Sequence, residues 1–193
     1  FGGPVSLGEH TTVIATPDRK IRLTVWPSWN EEGRIVIGNY CLICPGVRIS
    51  ASTRIEIGDG CMLAHGSFIT DSDWHGVYDR SLPVGKASSV RIDNNVWIGD
   101  SAIVCKGVKI GENSIIGAGS VVVREIPANA VAAGNPATVV KYLEKGRPIK
   151  TRADWMADPG ALASQFSEID RHFMKGNTWM GWIRSLILPR KGD

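Results

Sequence analysis

The side chains best suited to chemistry are concentrated in one polar stretch, residues 70–83. It reads Thr-Asp-Ser-Asp-Trp-His-Gly-Val-Tyr-Asp-Arg-Ser-Leu-Pro and contains a single histidine, His75. An imidazole can take up or release a proton near neutral pH, which is what general acid–base catalysis requires. His75 is therefore the candidate general base, and a solvated loop histidine is the alternative interpretation.

A neutral imidazole needs a partner that fixes which of its two nitrogens carries the proton. Asp71 and Asp73 are the nearby carboxylates. Side chains at positions 71, 73 and 75 share one side of an extended strand. This spacing favours Asp73 as the group that orients His75.

The segments on both sides of this stretch follow a six-residue repeat, in which a small residue stands four positions after most of the recurring aliphatics. Residues spaced six apart do not stay on one face of an α-helix, but this spacing suits a strand that turns a corner every six residues. Three hexads would then close one coil of a triangular prism, and stacked coils would pair as parallel strands. The longest unbroken run of aliphatics is Ile92, Ile98, Val104, Ile110, Ile116 and Val122.

The repeat stops between Ile69 and Ile92, so the polar stretch belongs to an inserted loop over residues 70–90. A long insertion in a compact solenoid usually carries a function. The repeat and the change in composition after Asn135-Pro136 predict three regions. They are an N-terminal segment (1–34), a β-helix domain (35–141) and a C-terminal tail (142–193).

Composition narrows the classes of protein to consider. The 193 residues suffice for one domain with a sizeable core, and 20 Ile and 17 Val against 9 Leu favour strands over helices. A hydrophobic fraction of 43% and a charged fraction of 21% argue against a disordered chain. No apolar run reaches the length of a bilayer span, and no secretion signal is expected from the first residues. No nucleic-acid-binding motif accompanies the net charge of +3.

Four cysteines raise the question of disulfides or zinc. Cys41 and Cys61 occupy small repeat positions that we expect to be buried. The Cys41-x-x-Cys44 spacing lacks the second pair that a zinc site requires. We therefore predict reduced thiols, no metal and a cytoplasmic location.

Three motifs resemble those of a known family. They are Asn-Asn-Val-Trp-Ile-Gly at 94–99, Gly-Ala-Gly-Ser-Val-Val at 117–122 and Ala-Ala-Gly-Asn-Pro-Ala at 132–137. They are similar to motifs of the hexapeptide-repeat acyltransferases, in the branch of the maltose, galactoside and polysaccharide O-acetyltransferases. The resemblance covers residues 35–141 and implies an all-β solenoid, a left-handed parallel β-helix with a protruding catalytic loop.

The resemblance implies transfer of an acyl group, typically acetyl, from acetyl-CoA to a hydroxyl of a saccharide. His75 would then be the general base, with Asp73 as its partner. The acceptor would be held by side chains of the same loop, because aromatic faces stack on sugar rings and an arginine suits an anionic group. The residues predicted for the acceptor are Asp71, Trp74, Tyr78 and Arg80.

The same resemblance places acetyl-CoA along the later repeats. Gly117 and Ala118 would form a slim wall for the pantetheine arm, and Trp97 would line the site. Arg124 and Lys141 stand where the family has basic residues near the cofactor's phosphates. The sequence departs from the family pattern at Val123 and Thr138, where a hydroxyl residue and an arginine are common.

The family's active sites lie between subunits, which implies a homotrimer with three sites. A closely related alternative is N-acetylation of an amino sugar. A zinc hydratase like the γ-class carbonic anhydrases would need three converging histidines, and only His65 and His75 lie in the repeat region. A non-catalytic scaffold is the third alternative. His65 itself is interpreted as a surface or interface residue, and His10 and His172 receive no catalytic role.

The tail carries the basic excess of the chain, since residues 141–193 have ten Lys or Arg and six Asp or Glu. Apolar spacing predicts a helix over 160–175. Residues 179–188 combine two tryptophans with aliphatics, and basic residues follow them. This composition suits either peripheral contact with a membrane or a helix that caps the β-helix or packs on a neighbour, and the second is favoured.

Overall fold

The computed structural model of this chain describes residues 2–26, 32–81, 83–175 and 177–188. Over these residues, seventeen short strands precede three helices. The strands are β1 (Val5–Leu7), β2 (Thr12–Val13), β3 (Arg22–Val25), β4 (Arg34–Ile37), β5 (Leu42–Ile43), β6 (Arg48–Ala51), β7 (Arg54–Ile57), β8 (Met62–Leu63), β9 (Phe68–Thr70), β10 (Val90–Ile92), β11 (Trp97–Ile98), β12 (Ile103–Val104), β13 (Lys109–Ile110), β14 (Ile115–Ile116), β15 (Val121–Val122), β16 (Ala130–Gly134) and β17 (Ala137–Tyr142).

These strands form three sheets, the faces of a prism. Sheet A has the order β1-β4-β7-β10-β13, sheet B the order β17-β16-β14-β11-β8-β5-β2, and sheet C the order β15-β12-β9-β6-β3. Neighbouring strands are parallel, except that β16 and β17 pair antiparallel. The chain visits A, B and C in turn, so three hexads complete one coil, as the repeat predicts.

The aliphatic repeat positions fill the interior of the coils. Ile98 is fully buried and stands in register with Leu63 and Ile116 on the neighbouring strands. The small residues four positions later are buried as well, including Cys41 and Cys61. Each buried aliphatic side chain contributes roughly 1.5–3 kcal/mol relative to an exposed one. Burial of the repeat positions is therefore what holds the prism together.

Three corners connect the sheets. The A–B corner comprises residues 8–11, 38–41, 58–61, 93–96, 111–114 and 127–129. The B–C corner comprises 14–21, 44–47, 64–67, 99–102 and 117–120. The C–A corner comprises 52–53, 71–81, 83–89, 105–108 and 123–125.

Side-chain amides link successive coils at the A–B corner. Asn95 donates to Asn113 at 2.9 Å, and Asn113 donates to Asn129 at 3.0 Å. All three residues have a positive φ, between 55° and 59°, which asparagine tolerates better than most residues. The corner therefore explains why asparagine recurs at these positions.

The end of the prism lies later than the boundary drawn from sequence. Residue 141 falls inside β17, which turns back on β16 after Asn135-Pro136. After β17, the Leu143 amide donates to the Asn129 carbonyl oxygen at 2.8 Å and the Arg152 guanidinium donates to the Tyr40 carbonyl oxygen at 2.8 Å, both at the A–B corner. Two compact units result, Phe1–Arg152 and Ala153–Asp193.

The second unit is helical. The helices are α1 (Arg152–Met156), which begins at the last residue of the first unit, α2 (Pro159–Phe173) and α3 (Trp179–Ile187). The Asp158 carboxylate accepts from the Ala161 amide at 3.0 Å and caps α2, which confirms the predicted helix. Neither α2 nor α3 has a buried residue. Among the described helices, none is long and apolar enough to cross a membrane.

Candidate active site

The loop that interrupts the repeat leaves the prism at the C–A corner, between β9 and β10. Its two arms pair close to the prism. The Asp73 amide donates to the Lys86 carbonyl oxygen at 2.9 Å, and the Gly85 amide donates to the Asp73 carbonyl oxygen at 2.7 Å. Ser72 and Ala87 form an antiparallel bridge beside them. This short ladder fixes the base of the loop.

Asp71 anchors this base from inside. Its side chain is fully buried and accepts three hydrogen bonds, from the Ser52 amide at 2.8 Å, the Thr53 amide at 2.7 Å and the Thr53 hydroxyl at 2.9 Å. Both carboxylate oxygens are therefore occupied within the chain. The acceptor contact predicted for Asp71 is incompatible with this burial, and the structure gives it a positioning role.

Asp73 binds Lys106 rather than His75. The Lys106 ammonium donates to the Asp73 carboxylate at 2.5 Å, and both side chains are partly exposed. No hydrogen bond between Asp73 and His75 is found in the described part of the chain. The chain bends at Trp74 and His75, so the two-residue alternation that would place 73 and 75 on one side ends before His75.

Lys106 is a site residue that the predictions from sequence do not include. It occupies the C–A corner one coil after the loop, between Val104 and Val108 of the repeat. Counting the six-residue repeats along the sequence is sufficient to place Lys106 next to the loop. The neighbouring Cys105 is half-buried, and burial raises the pKa of its thiol, so it is a poor nucleophile at neutral pH.

His75 itself is exposed, and its backbone is closely packed. A Cβ atom on Gly85 would lie 2.2 Å from the His75 carbonyl oxygen, so only glycine fits there without displacing one arm. Trp74 is half-buried, with its ring 5.5 Å from that of Trp26 at the end of β3. These contacts hold the backbone of His75 in place while its imidazole faces solvent.

Side chains at the tip of the loop are exposed to solvent in the single chain. Val77 is 71% exposed and Tyr78 is fully exposed, and Arg80 is exposed as well. Asp79 accepts from the Ser81 amide at 3.0 Å, and the hydrogen bonds from Ser81 hold the pKa of Asp79 below its usual value. Among the described contacts, none joins Tyr78 or Arg80 to another side chain.

The residues predicted for acetyl-CoA lie on several faces. Gly117 and Ala118 stand at the B–C corner, and Ala118 makes no backbone hydrogen bond among those described. Trp97 points outward from sheet B and is 46% exposed. Lys141 is exposed on β17, and Arg124 is exposed at the C–A corner.

One chain does not bring the two halves of the predicted site together. His75 belongs to the C–A corner, whereas Gly117 and Ala118 belong to the B–C corner. Sheet C separates these corners. No group of three or more His, Cys, Asp or Glu that could hold a metal is found among the described residues.

Comparison with known proteins shows which family has this architecture. Residues 89–124 match the bacterial transferase hexapeptide (six repeats) family. The galactoside O-acetyltransferase of Escherichia coli is 40% identical over 91 residues, which are 46% of this chain and 44% of that protein. The chain spans between 29% and 59% of the length of the curated relatives it matches.

Solved structures share the fold over a longer region. A maltose O-acetyltransferase from Clostridium difficile is 34% identical with a TM-score of 0.52, covering 72% of this chain and 70% of that one. A hexapeptide-repeat acetyltransferase from Vibrio cholerae is 25% identical with a TM-score of 0.61, covering 72% and 74%. That protein has also been solved in complex with acetyl coenzyme A. The chain belongs to the hexapeptide-repeat acyltransferases, whose fold is the left-handed parallel β-helix predicted from its sequence.

Proposed function

We propose that this chain is an acetyl-CoA-dependent O-acetyltransferase that acts on a hydroxyl group of a saccharide or glycan precursor. The observation that carries the proposal is His75, an exposed imidazole on a loop whose base is fixed by Asp71, Asp73 and Gly85. The similarity to galactoside and maltose O-acetyltransferases supports a sugar acceptor.

In the proposed reaction, the His75 imidazole takes the proton of the acceptor hydroxyl while the oxygen attacks the carbonyl carbon of the acetyl thioester. The carbon–sulfur bond breaks, and the leaving thiolate receives the proton from the imidazolium. Proton and charge therefore balance over the cycle. No metal takes part in these steps.

The donor is proposed to run along the B–C corner. The backbone groups of Ala118 have no hydrogen-bond partner among the described residues, so they suit hydrogen bonds to the amides of a pantetheine arm, and Gly117 keeps the wall slim. Trp97 would line the site from sheet B. Lys141 is proposed to pair with phosphate oxygens, because a cation and an anionic oxygen form strong hydrogen bonds. Arg124 is proposed to do the same where the C–A corner of one subunit meets the B–C corner of the next.

A homotrimer would complete the site, since the loop of one subunit could meet the B–C corner of the next. The bare tip supports this arrangement, because Tyr78 and Val77 expose apolar surface that a neighbouring subunit would cover. Trp74, Tyr78 and Arg80 are proposed to contact the acceptor in that cleft. Asp71 is left out of this set because it is buried.

The apolar surface of α3 is proposed to contact a second copy of this chain rather than a membrane. Arg184 is the one charged residue within α3, so the helix lacks the basic polar face of interfacial membrane helices. Trp179, Met180, Leu186 and Ile187 are each more than half exposed. A protein surface would bury them on several sides.

An assay of coenzyme A release across a panel of hexoses, glycosides, sugar nucleotides and amino sugars tests the proposal. We expect release with acceptors that offer hydroxyl groups, and the acetylated product is identified by mass spectrometry as an ester. Release only with amino sugars, giving an amide, would favour the N-acetyltransferase alternative. No release with any acceptor, together with no thermal stabilisation by coenzyme A, would contradict the enzyme assignment.

A further inference from the structure

We propose that the acceptor carries an anionic group, a phosphate or a carboxylate, which binds in a basic cavity at the N-terminal end of the B–C corner. The cavity has a volume of about 470 Å³, and Arg19, Lys20, Arg22, Arg48 and His65 are among the residues that line it. Because this names the acceptor class of the same site, it depends on the proposed function.

The charge of this cavity stands out from its surroundings. Four of its lining residues are Lys or Arg, and Asp18 is the one carboxylate among them. Residues 1–140 as a whole carry twelve Lys or Arg and thirteen Asp or Glu. The Asp18 carboxylate lies 3.8 Å from the Arg19 guanidinium. The other three cationic side chains of the cavity, Lys20, Arg22 and Arg48, have no carboxylate partner among the described residues. The concentration of positive charge is therefore local.

Two of these cations lie on neighbouring strands. β3 and β6 place Arg22 and Arg48 in register, and neighbouring strands lie roughly 4.8 Å apart. Like charges on neighbouring strands repel each other, and a bound anion would relieve that repulsion. Neither Arg22 nor Arg48 has an ion pair within the described residues, whereas Arg54 and Arg91 each pair with a carboxylate two residues later.

Arg48 is also held in place. Its guanidinium lies 4.4 Å from the centre of the Phe68 ring, on the neighbouring strand β9. A cation–π contact uses the face of the guanidinium and leaves its N–H groups at the edge for an oxyanion. A phosphate or carboxylate accepts two such N–H groups at once. The arrangement therefore suits an anionic group better than a neutral hydroxyl.

The cavity lies on the same corner as the proposed donor wall. Backbone hydrogen bonds connect this corner from coil to coil, from Gly119 to Asp100, Ser101 to His65, Gly66 to Pro45 and Gly46 to Arg19. Arg124 and Lys141, proposed for the donor phosphates, lie near the opposite end of the prism. A donor running along the corner would direct its thioester towards the cavity, where the acceptor must bind.

The first test is kinetic. It compares glucose, glucose 6-phosphate and glucuronate as acceptors, using the double variant Arg22→Gln/Arg48→Gln. Because each lost charge-assisted hydrogen bond weakens binding by about tenfold to a hundredfold, we expect kcat/KM for the anionic acceptors to fall by at least tenfold. The KM for acetyl-CoA should not change. Arg34→Gln is the matched control, because Arg34 is an exposed first residue of a strand on sheet A.

Two kinetic outcomes would overturn the inference. One is an unchanged kcat/KM for anionic acceptors in the double variant. The other is a raised KM for acetyl-CoA, which would show that the cavity holds the phosphates of the donor.

A binding measurement separates this inference from the proposed function. Inorganic pyrophosphate and glucuronate are titrated into the full-length protein by calorimetry, without acetyl-CoA. We expect binding to the wild type and to Arg34→Gln, and at least tenfold weaker binding to the double variant. Binding without any acetyl transfer would refute the enzyme assignment while leaving the anion site standing. Equal binding to all three proteins, or to none, would refute the anion site.

Discussion

At the scale of single residues, the chemistry proposed for this chain depends on one exposed imidazole, His75. General acid–base catalysis by a positioned histidine typically contributes about 10²- to 10⁴-fold to the rate. We therefore expect His75→Asn to lower kcat by about that factor. Steady-state assays of coenzyme A release measure the loss, and His172→Asn is the matched control. A kcat within twofold of the wild type would contradict the role of His75.

The ion pair between Asp73 and Lys106 gives a second prediction at this scale. Since it positions the loop, Asp73→Asn and Lys106→Met should lower kcat by similar factors, about tenfold. The double variant should be no worse than either single one, because coupled residues are not additive. A melting curve checks that folding is unchanged, since a partly exposed pair contributes only about 0–1 kcal/mol to stability. A much larger loss for Asp73→Asn than for Lys106→Met would instead support direct orientation of the imidazole.

At the scale of elements, the loop over residues 71–89 works only if its two arms stay closely paired. A Cβ atom at position 85 would collide with the His75 carbonyl oxygen, so Gly85→Ala should displace the arm that carries the imidazole. A misplacement of about 1 Å can cost up to a hundredfold in rate, and we expect kcat to fall at least tenfold.

Melting temperature and kcat are measured together for this variant. Gly2→Ala is the control, because a Cβ atom there meets nothing within 4 Å. A normal kcat for Gly85→Ala would show that the loop tolerates displacement of one arm. The base of the loop would then not determine the position of the His75 imidazole.

The strands were predictable from sequence because burial leaves the interior positions little freedom. Ile98 and Ile116 point inward on successive coils, so a six-residue period fixes their strands and neighbours. The loop lacks such a constraint. The partner of Asp73 comes from a corner 33 residues later, and the bend at Trp74 and His75 breaks the alternation on which the pairing with His75 was based. The burial of Asp71 likewise depends on Thr53, on the preceding coil.

At the scale of the whole molecule, the apolar surface of α3 predicts self-association. Deletion of residues 176–193 should weaken assembly, because it removes exposed Trp179 and Trp182 from the proposed contact. Analytical ultracentrifugation measures the association constant of the deletion variant against the full chain. Flotation of the full chain with phosphatidylglycerol vesicles, lost on deletion, would contradict the protein contact and support membrane binding.

The central claim is that His75 of one subunit acts on a donor held at the B–C corner of another. Two inactive variants test it together, His75→Asn and Ala118→Trp, the second of which would block the donor wall. In mixed trimers formed by co-expression, some interfaces pair an intact loop with an intact corner. Random mixing in equal amounts should restore about a quarter of the wild-type activity. Mixed trimers as inactive as either parent would contradict a shared site.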